Sequence, residues 1–493
     1  MDITLSLATY FVLVIAILYV LNGFIQSDTL KDFPPGPRGW PLIGNLLSID
    51  LKQPHLTYIE LSKKYGSVFS IQLGMQKAVI LAGYETVKDA LVNHADEFGA
   101  RAESSIIREI DNGLGIIQSN GENWKTMRRF TLTTLRDFGM GKNTVEQKII
   151  EECNYLSEYF ASYKGKPLDN TVILNASVSN IIVAILLGHR MDYEDPTFLK
   201  LLHHNNELIR IGGSPILQIY NLFPILQNLP GPHRTIKKNM EEFYKFIRSR
   251  LVEYRKNLDA NDQRSFIDAF CLRQKQVSSL EGDGSHFHEE NLLRVIRHLF
   301  LAGTETTATT LRWGFLLMIK YPDIQEKVQL EISRVIGSAQ PNYSHRMQMP
   351  YTNAVVHEIQ RFADLLPVNL PHETATDVHF KGFFIPKGTY IIPLLSSVLK
   401  DETQFDHPEG FDPTNFLDSG GNFVKKEAFM PFSAGRRICA GETLARMELF
   451  IFFTSLLQKF SFRPPPGVTK INLSAAMGLT NSPVRQMICI FPR

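Results

Sequence analysis

Helical periodicity runs through most of this chain and limits its fold more than any other feature of the sequence. Apolar side chains recur at intervals of three and four residues over long stretches, whereas strand-like alternation is confined to short regions. The helical stretches are residues 85–92, 144–163, 168–187, 237–257, 289–320, 323–336, 351–362 and 441–460. The pattern predicts a mainly α-helical protein with minor β-structure.

The strand-like regions are few. Residues 68–81 alternate around Gly74, which predicts a hairpin, and residues 378–394 contain two strand candidates around Pro386-Lys387-Gly388. Glycine-rich segments at 282–285 and 420–421 predict loops. The sequence shows no internal repeat and no low-complexity block. We therefore expect one large domain.

Composition excludes several classes of protein. With 44% hydrophobic and 21% charged residues, the 493-residue chain is not disordered, collagenous or a coiled-coil rod. Lys plus Arg number 52 and Asp plus Glu number 50, so the net charge of +2 provides no basic field for nucleic acid. The four cysteines are widely spaced, which argues against a disulfide scaffold or a zinc finger.

The N-terminal segment predicts a membrane anchor. Residues 3–27 carry no charged side chain, and about 20 apolar residues in a helix cross a bilayer core. The alternative is a cleaved signal peptide, whose apolar region is usually shorter and follows a basic start, whereas this chain begins with Asp2. Lys31 and Arg38 follow the apolar stretch and favour a cytosolic main domain. We expect an anchor at residues 1–27, a stiff proline-rich hinge at 28–45 and the globular domain at 46–493.

Cys439 stands just before a helical stretch, in a segment with two glycines. The free amides and dipole of a helix start favour a thiolate, and Arg436 and Arg437 are expected to act in the same direction. A lone cysteine is more often buried and inert. The residues around Cys439 favour the other interpretation, a thiolate that ligates a metal.

The segment resembles the haem-ligand loop of the cytochrome P450 haem-thiolate monooxygenases, with pattern Phe-x-x-Gly-x-Arg-x-Cys-x-Gly. The matching residues are Phe432, Gly435, Arg437, Cys439 and Gly441. The resemblance implies haem b, iron protoporphyrin IX, with the Cys439 thiolate as axial iron ligand. It also implies that Phe432 packs on the haem near the sulfur and that Arg437 reaches a propionate. The expected fold is the cytochrome P450 fold, a single large haem-binding catalytic domain after an N-terminal transmembrane helix.

A second motif of the same family is Glu-x-x-Arg. Glu358 and Arg361 are three positions apart and share one helix face. Glu358 lies 81 residues before Cys439. By itself such a pair is usually a weak surface contact. In the family it is buried and structural, and a Pro-x-x-Phe loop supplies a third residue. That residue is Asn415 here, where the family often has Arg or His.

The third motif lies inside the helical stretch 289–320. Residues 302–307 resemble the family's Ala-Gly-x-Glu-Thr-Thr element, which crosses the distal haem face. The resemblance implies that Ala302 and Gly303 lie against the haem cofactor and that Gly303, with a local widening of the helix, makes room for oxygen. It also assigns the Thr306 hydroxyl and the Glu305 carboxyl to a water relay for protons. The alternative is a helix with one polar face.

Further matches implied by the resemblance concern the propionates. Trp124 and Arg128 match the family's Trp-x-x-x-Arg, and Arg101 and His372 match further propionate contacts, although each alone is typical of a surface residue. The matches cover essentially the whole chain in order. The hinge and residues 129–136 look most like family 2 of the vertebrate microsomal enzymes, which oxidise xenobiotics, fatty acids, arachidonate-type lipids and steroids.

Transfer by position also predicts a substrate pocket, and its side chains are mostly aliphatic. The predicted lining residues are Ile106, Ile107, Leu114, Ile117, Leu208, Leu366, Val368 and Leu479. Such a pocket favours a small lipophilic substrate. Arg108 and Arg210 are either partners for a substrate carboxylate or solvated surface residues.

The sequence contains no flavin or dinucleotide fingerprint, so electrons must come from a partner. The resemblance implies NADPH-cytochrome P450 reductase, with cytochrome b5 as a second candidate donor, and a location in the endoplasmic reticulum membrane. Basic residues on the cysteine side of the haem are candidates for docking an acidic flavoprotein. They are Lys125, Arg129, Arg136, Lys425, Lys426 and Arg436.

Three functions remain open at this point. The first is a monooxygenase that uses O2 and two electrons from NADPH to hydroxylate or epoxidise its substrate. The second is a haem-thiolate enzyme that rearranges or dehydrates peroxides without external electrons. The third is a carrier of haem or lipid without catalysis. The adjacent Glu305 and Thr306 and the basic segments favour the first.

Overall fold

A computed structural model describes residues 10–11, 13–17, 32–278, 286–476 and 478–493. Most of the predicted anchor and the predicted loop at 282–285 therefore lie outside the described residues. Residues 10–11 and 13–17 are helical. In the described part of the chain, no helix is both long and apolar enough to span a membrane.

The fold is mainly helical with small sheets, as the periodicity predicts. The helices are α1 Pro54–Tyr65, α2 Tyr84–Lys88, α3 Ser105–Asp111, α4 Gly121–Asp137, α5 Asn143–Ser162, α6 Thr171–Leu187, α7 Pro196–Gly212, α8 Pro215–Leu222, α9 Pro232–Lys256, α10 Phe266–Ser278, α11 Glu289–Lys320, α12 Pro322–Val335, α13 Pro350–Ala363, α14 Leu395–Leu399 and α15 Glu442–Lys459.

Helix α11 forms the centre of the main core. It packs along α6 and also contacts α13 and α15, so most of its side chains are buried. The His288 side chain accepts a hydrogen bond from the amide of Asn291 and caps its start. Pro322, which cannot continue an inner helical turn, follows its end and begins α12. The predicted bounds 289–320 match the helix.

Within the described residues, the strands are short and form one five-stranded sheet and three pairs. They are β1 Val68–Leu73, β2 Gln76–Leu81, β3 Ala100–Arg101, β4 His372–Glu373, β5 Val378–Phe380, β6 Phe383–Ile385, β7 Tyr390–Pro393, β8 Phe460–Arg463, β9 Ala475–Ala476, β10 Ser482–Pro483 and β11 Cys489–Pro492. The five-stranded sheet has the order β1-β2-β7-β4-β3. It brings Arg101 and His372 directly opposite each other.

The prediction for residues 378–394 is wrong in detail. Three strands replace the two expected, because the tight turn falls at Lys381-Gly382, where both residues have positive φ, and joins β5 to β6. The Pro386–Gly388 turn instead leads into β7, which pairs parallel with β2 and antiparallel with β4. Pairing with the distant β2 is a long-range contact that local alternation does not reveal.

Several helices lie outside the stretches with marked periodicity. Helices α1, α7 and α8 each begin with a proline at the first helical position, a start signal that is independent of apolar periodicity. The stretch 85–92 is not one regular helix: α2 continues as a π-helical turn at Asp89–Asn93. That turn matters below, because it contacts the cysteine loop.

Candidate active site

Cys439 lies between a 3-10 turn, Gly435–Arg437, and the start of α15. Its amide donates to the carbonyl oxygen of Phe432 over 3.0 Å, which closes the loop on itself. The Arg128 Nη2 donates to the Ile438 carbonyl over 2.5 Å and ties the loop to α4. Cys439 is exposed, whereas Cys153, Cys271 and Cys489 are buried. Among the four cysteines, Cys439 therefore carries the accessible thiol.

The electrostatics at Cys439 depend on burial of the sulfur, on backbone amides and on nearby charges. Although the residue is exposed, protein atoms around the sulfur displace water and raise the pKa of the thiol, and the Glu442 carboxylate raises it as well. The amides of Gly441 and Glu442 lower it, as expected at a helix start. The cation that lowers this pKa is Arg128. Arg436 instead forms an ion pair with Asp96, and Arg437 points to other acceptors. The guanidinium groups of Arg436 and Arg437 thus bind other partners, and the expectation that they favour the thiolate stays a prediction.

Gly435 provides a test of the loop. Its φ is +68°, and a Cβ at this position would lie 1.7 Å from the Leu91 carbonyl oxygen in the π-helical turn. We expect Gly435→Ala to displace the loop and to reduce haem loading of the purified protein strongly. The matched control is Gly421→Ala, which also has positive φ but meets no atom within 4 Å. Equal haem loading of the two variants would contradict this account.

The residues predicted at the propionates come together in one buried cluster. The Arg437 guanidinium lies 3.8 Å from the centre of the Trp124 ring, and that of Arg128 lies 5.9 Å from it. Arg101 and His372 are buried beside them. Burial and mutual repulsion lower the pKa values of Arg101 and Arg437 to about 9. In the described part of the chain, no carboxylate forms an ion pair with Arg101, Arg128 or Arg437.

This cluster fits the carboxylates of a haem. Arg101 Nε, Trp124 Nε1 and His372 Nε2 are buried and find no hydrogen-bond partner among the described residues. Buried polar atoms are normally paired, so unpartnered groups in a cationic cluster fit an anionic ligand. His372 Nδ1 lies 2.6 Å from the Phe98 carbonyl oxygen, so Nδ1 donates and Nε2 remains available. A carboxylate beside His372 would favour protonation of Nε2, which would then donate to it.

Protein groups alone hold the Arg437 side chain in place. Its Nε donates to the Gly99 carbonyl over 2.8 Å, Nη1 to the Ser119 carbonyl over 3.0 Å and Nη2 to Asn120 Oδ1 over 2.7 Å. Asn120 also bonds the backbone of Arg101 in both directions. The sequence analysis did not select Asn120, and its place before α4 gave no signal of this role.

The predicted distal residues lie on α11. Ala302 is exposed, and Gly303 and Thr306 are half-buried, so this face of α11 is the open one. A Cβ on Gly303 would approach Ile182 of α6 to 3.2 Å, which shows how closely the two helices pack. The Thr306 hydroxyl donates to the Ala302 carbonyl over 2.8 Å and keeps its lone pairs for an outside donor.

Glu305 is adjacent to Thr306 in sequence but has different partners. Its Oε1 accepts from Thr309 Oγ1 over 2.9 Å and from Ser482 Oγ over 3.4 Å, and its Oε2 accepts from Asn175 Nδ2 over 3.2 Å. Burial raises its pKa, while these donors and Arg312 lower it. Burial thus favours the protonated form of the Glu305 carboxyl, whereas its donors and Arg312 favour the ionised form.

The Glu358–Arg361 pair is fully buried. Arg361 Nε and Nη2 donate to the two carboxylate oxygens of Glu358 over 2.7 Å each, and Asn415 Nδ2 reaches Glu358 Oε1 over 3.3 Å. The guanidinium also donates to the carbonyls of Leu399, Pro408 and Gly410. These contacts fit a structural role, with the neutral Asn415 as the third partner.

The predicted pocket residues divide between two places. Ile106, Ile107, Ile117 and Leu208 belong to or pack against the main core, whereas Val368 packs against a separate cluster beside the five-stranded sheet. Leu114 and Leu366 are half-buried, and Leu479 is exposed, with its amide bonded to the Ile209 carbonyl at the end of α7.

Neither arginine considered for a substrate carboxylate is buried. Arg108 pairs with Glu103 over 2.7 Å, and Arg210 lies 3.9 Å from Glu207. Both side chains are about two-thirds exposed (67% and 69%). The interpretation of these arginines as surface residues is therefore the one that the structure supports.

A buried cluster that the sequence analysis missed holds the predicted pocket loop. His298 Nδ1 accepts from the amides of Ile116 and Ile117 over 3.1 and 3.4 Å, and Nε2 lies 3.1 Å from Asp111 Oδ2. Asp111 also pairs with Arg297. The available signal was a histidine beside Arg297 in a largely apolar stretch of α11. The cluster fixes the backbone of the loop that carries Leu114 and Ile117.

Known proteins resemble this chain over almost its whole length. A family model for cytochrome P450 matches residues 34–490. Cytochrome P450 2K1 of Oncorhynchus mykiss is 48% identical over 484 residues, which cover 98% of this chain and 96% of the relative. Cytochrome P450 2C8 of Homo sapiens is 45% identical over 484 residues, 98% of each chain. Cytochrome P450 2C39 of Mus musculus is 44% identical over 492 residues, 99% of this chain and 100% of the relative.

Proposed function

Because the chain belongs to cytochrome P450 family 2, whose members are haem-thiolate monooxygenases, we propose that it hydroxylates or epoxidises small lipophilic substrates such as xenobiotics, fatty acids or steroids. The overall reaction balances as substrate, O2, NADPH and a proton giving oxidised substrate, water and NADP⁺. Two electrons come from NADPH through a reductase. The observation that carries the proposal is the accessible Cys439 beside the cationic cluster with unpartnered donors.

Haem, when bound with a thiolate ligand, supplies the electron-rich iron that activates oxygen. Cys439 would provide that thiolate, and the amides of Gly441 and Glu442 and the Arg128 guanidinium stabilise its negative charge. Arg101, Trp124, Arg128, His372 and Arg437 would hold the propionates, and Phe432 would pack beside the sulfur. The Cys439 amide bonded to the Phe432 carbonyl keeps the loop in one conformation.

The protein groups proposed to move protons are Thr306 and Glu305. The Thr306 hydroxyl donates to the Ala302 carbonyl, and its lone pairs would accept a hydrogen bond from a water on the open face of α11. Glu305 provides a titratable carboxyl next to it in the chain, with its pKa raised by burial. A relay through both would supply protons one at a time and exclude bulk water.

The direct test is reconstitution with a microsomal NADPH reductase, a panel of lipophilic substrates and the purified full-length protein. We expect product formation that needs NADPH, reductase and O2 together. Turnover of peroxides without reductase would instead support the isomerase or dehydratase alternative. Haem binding with no turnover of either kind would support the carrier.

Thr306→Ala tests the proton relay. We expect normal haem loading but a several-fold rise in NADPH consumed per product, with the electrons released as peroxide or water, because the relay loses its hydroxyl. Thr304→Ala is the matched control, since Thr304 is fully buried and its hydroxyl bonds to Phe300 and Ser179 instead. Unchanged coupling in Thr306→Ala would count against the assignment.

We place the protein in the endoplasmic reticulum membrane, with residues 1–27 as the anchor and the catalytic domain in the cytosol. The uncharged N-terminal segment and the family support this placement. The reductase partner, and cytochrome b5 as a second donor, would use the basic residues near the cysteine loop. Of these, Lys125 is paired with Glu122 and Arg436 with Asp96, so a docking partner would compete with these ion pairs. Membrane flotation of the full chain tests the location.

A further inference from the structure

A chain of amide and carboxyl groups connects α7 to α11 through α6. Asn175 of α6 is 1% exposed, and its Nδ2 donates twice, to Asn206 Oδ1 of α7 over 2.8 Å and to Glu305 Oε2 of α11 over 3.2 Å. Thr309 and Ser482 bond the other oxygen of Glu305. Both hydrogens of the Asn175 amide are thereby used, which fixes its orientation.

The contacts make Asn175 the only donor from α6 to the Glu305 carboxyl within the described residues. Thr309 lies on α11 itself and Ser482 on β10, so Asn175 alone connects the acid to the helix pair α6–α7. Helix α7 carries Leu208, which the sequence places in the substrate pocket. A shift of α7 would therefore pull on Asn206, then on Asn175, and change how firmly Glu305 is held.

We propose that Asn175 is a positioning residue for Glu305 and that, through Asn206, it ties the orientation of this acid to the substrate-lining helix α7. The inference rests on the proposed function, because it assigns a role in the same proton relay. Asn175 does not touch substrate or haem in this account; it acts through Glu305.

The surroundings of Glu305 determine the sign of the expected pH effect. The charged group that acts on Glu305 is Arg312, on the same helix, whose Nη2 donates to the Pro483 carbonyl over 2.9 Å. Asp169 and Arg485 act on Arg312 rather than on Glu305. Asn175, Thr309 and Ser482 are neutral donors that favour the ionised carboxylate and so lower its pKa. Removal of one donor must raise the pKa of Glu305.

The test compares Asn175→Leu and Asn175→Asp with the wild type in the reconstituted system. We expect peroxide release per NADPH to rise several-fold in both. We also expect the limb of the pH profile that depends on Glu305 to move to higher pH by about one unit in Asn175→Leu, as for the loss of one hydrogen bond to a charged group. Asn175→Asp should move it further, because a second carboxylate faces Glu305.

Asn180→Leu is the matched control. Asn180 is also fully buried on α6, but its side chain bonds the backbone of Met191 in both directions. It should lower thermal stability without moving the pH profile or the peroxide yield. If the Asn175 variants do not fold, Asn206→Leu tests the same series of hydrogen bonds at its half-buried outer end. It should shift the pH profile and the peroxide yield in the same direction by a smaller amount.

The outcomes separate this inference from the proposed function. A wild-type protein without reductase-driven product formation would overturn the function itself. A wild type that turns over, with Thr306→Ala uncoupled but Asn175→Leu and Asn175→Asp indistinguishable from Asn180→Leu, would overturn only the role of Asn175. If Asn175→Leu changes the peroxide yield and the pH profile but Asn206→Leu changes neither, the link to α7 would be overturned.

Discussion

Glu358→Gln is expected to prevent accumulation of folded haem protein. Glu358 Oε1 accepts from three donors, Arg361 Nη2, the Asp412 amide and Asn415 Nδ2. In the glutamine variant, an amide nitrogen in place of either carboxylate oxygen of Glu358 would face hydrogen-bond donors. The guanidinium of Arg361, whose side chain is 0% exposed, would also lose its counter-ion. Breaking a buried ion pair by removing one partner costs about 3–5 kcal/mol, a large share of the usual stability of a folded protein.

The control is Glu60→Gln in α1. Glu60 also pairs with a basic residue three positions along its helix, Lys63, but both side chains are mostly exposed. An exposed ion pair of this kind contributes little to the free energy of unfolding, so this variant should express and load haem like the wild type. Soluble yield, thermal unfolding and haem-to-protein ratio provide the comparison. A Glu358→Gln protein with normal yield and haem content would show that the pair does not support the fold.

Cys439→Ser is expected to abolish NADPH-driven product formation. A serine hydroxyl keeps the size of the side chain and the loop bonds, but it does not provide the thiolate that the iron requires. Because the propionate cluster remains, we expect some haem to be retained with an altered absorption spectrum. The loss therefore concerns the iron ligand rather than the loop.

Cys153→Ser is the control for Cys439→Ser. Cys153 is fully buried in α5, and burial raises the pKa of its thiol, which disfavours the thiolate. This variant should keep the spectrum and the turnover of the wild type apart from a small loss of stability. Full activity in Cys439→Ser would exclude the sulfur as the ligand.

The sequence predicted those parts of the structure that depend on local pattern. Helix α11 matches its predicted bounds because local signals mark both ends of its apolar pattern. His288 caps its start, and Pro322 follows its end. The hairpin of β1 and β2 follows from alternation around Gly74. The motif residues could be assigned because their spacing along the chain carries the resemblance.

Features that depend on distant contacts could not be predicted. The parallel pairing of β7 with β2 joins segments about 300 residues apart. The direction of Arg436 and Arg437 depends on Asp96 and Asn120, which are remote in sequence. The contact of Asn175 with Glu305 links α6 to α11. In the sequence, neither residue differs visibly from other polar residues within apolar helices. In each case a side chain's partner is decided by packing rather than by its neighbours in the chain.

The central claim is that the Cys439 thiolate binds a haem iron held by the cluster of Arg101, Arg128, Arg437, Trp124 and His372. The most direct measurement is the carbon monoxide difference spectrum of the reduced, haem-loaded full-length protein. The account predicts the red-shifted Soret band that is typical of an axial thiolate. A Soret band typical of a histidine-ligated haem, or a purified protein that takes up no haem, would contradict it.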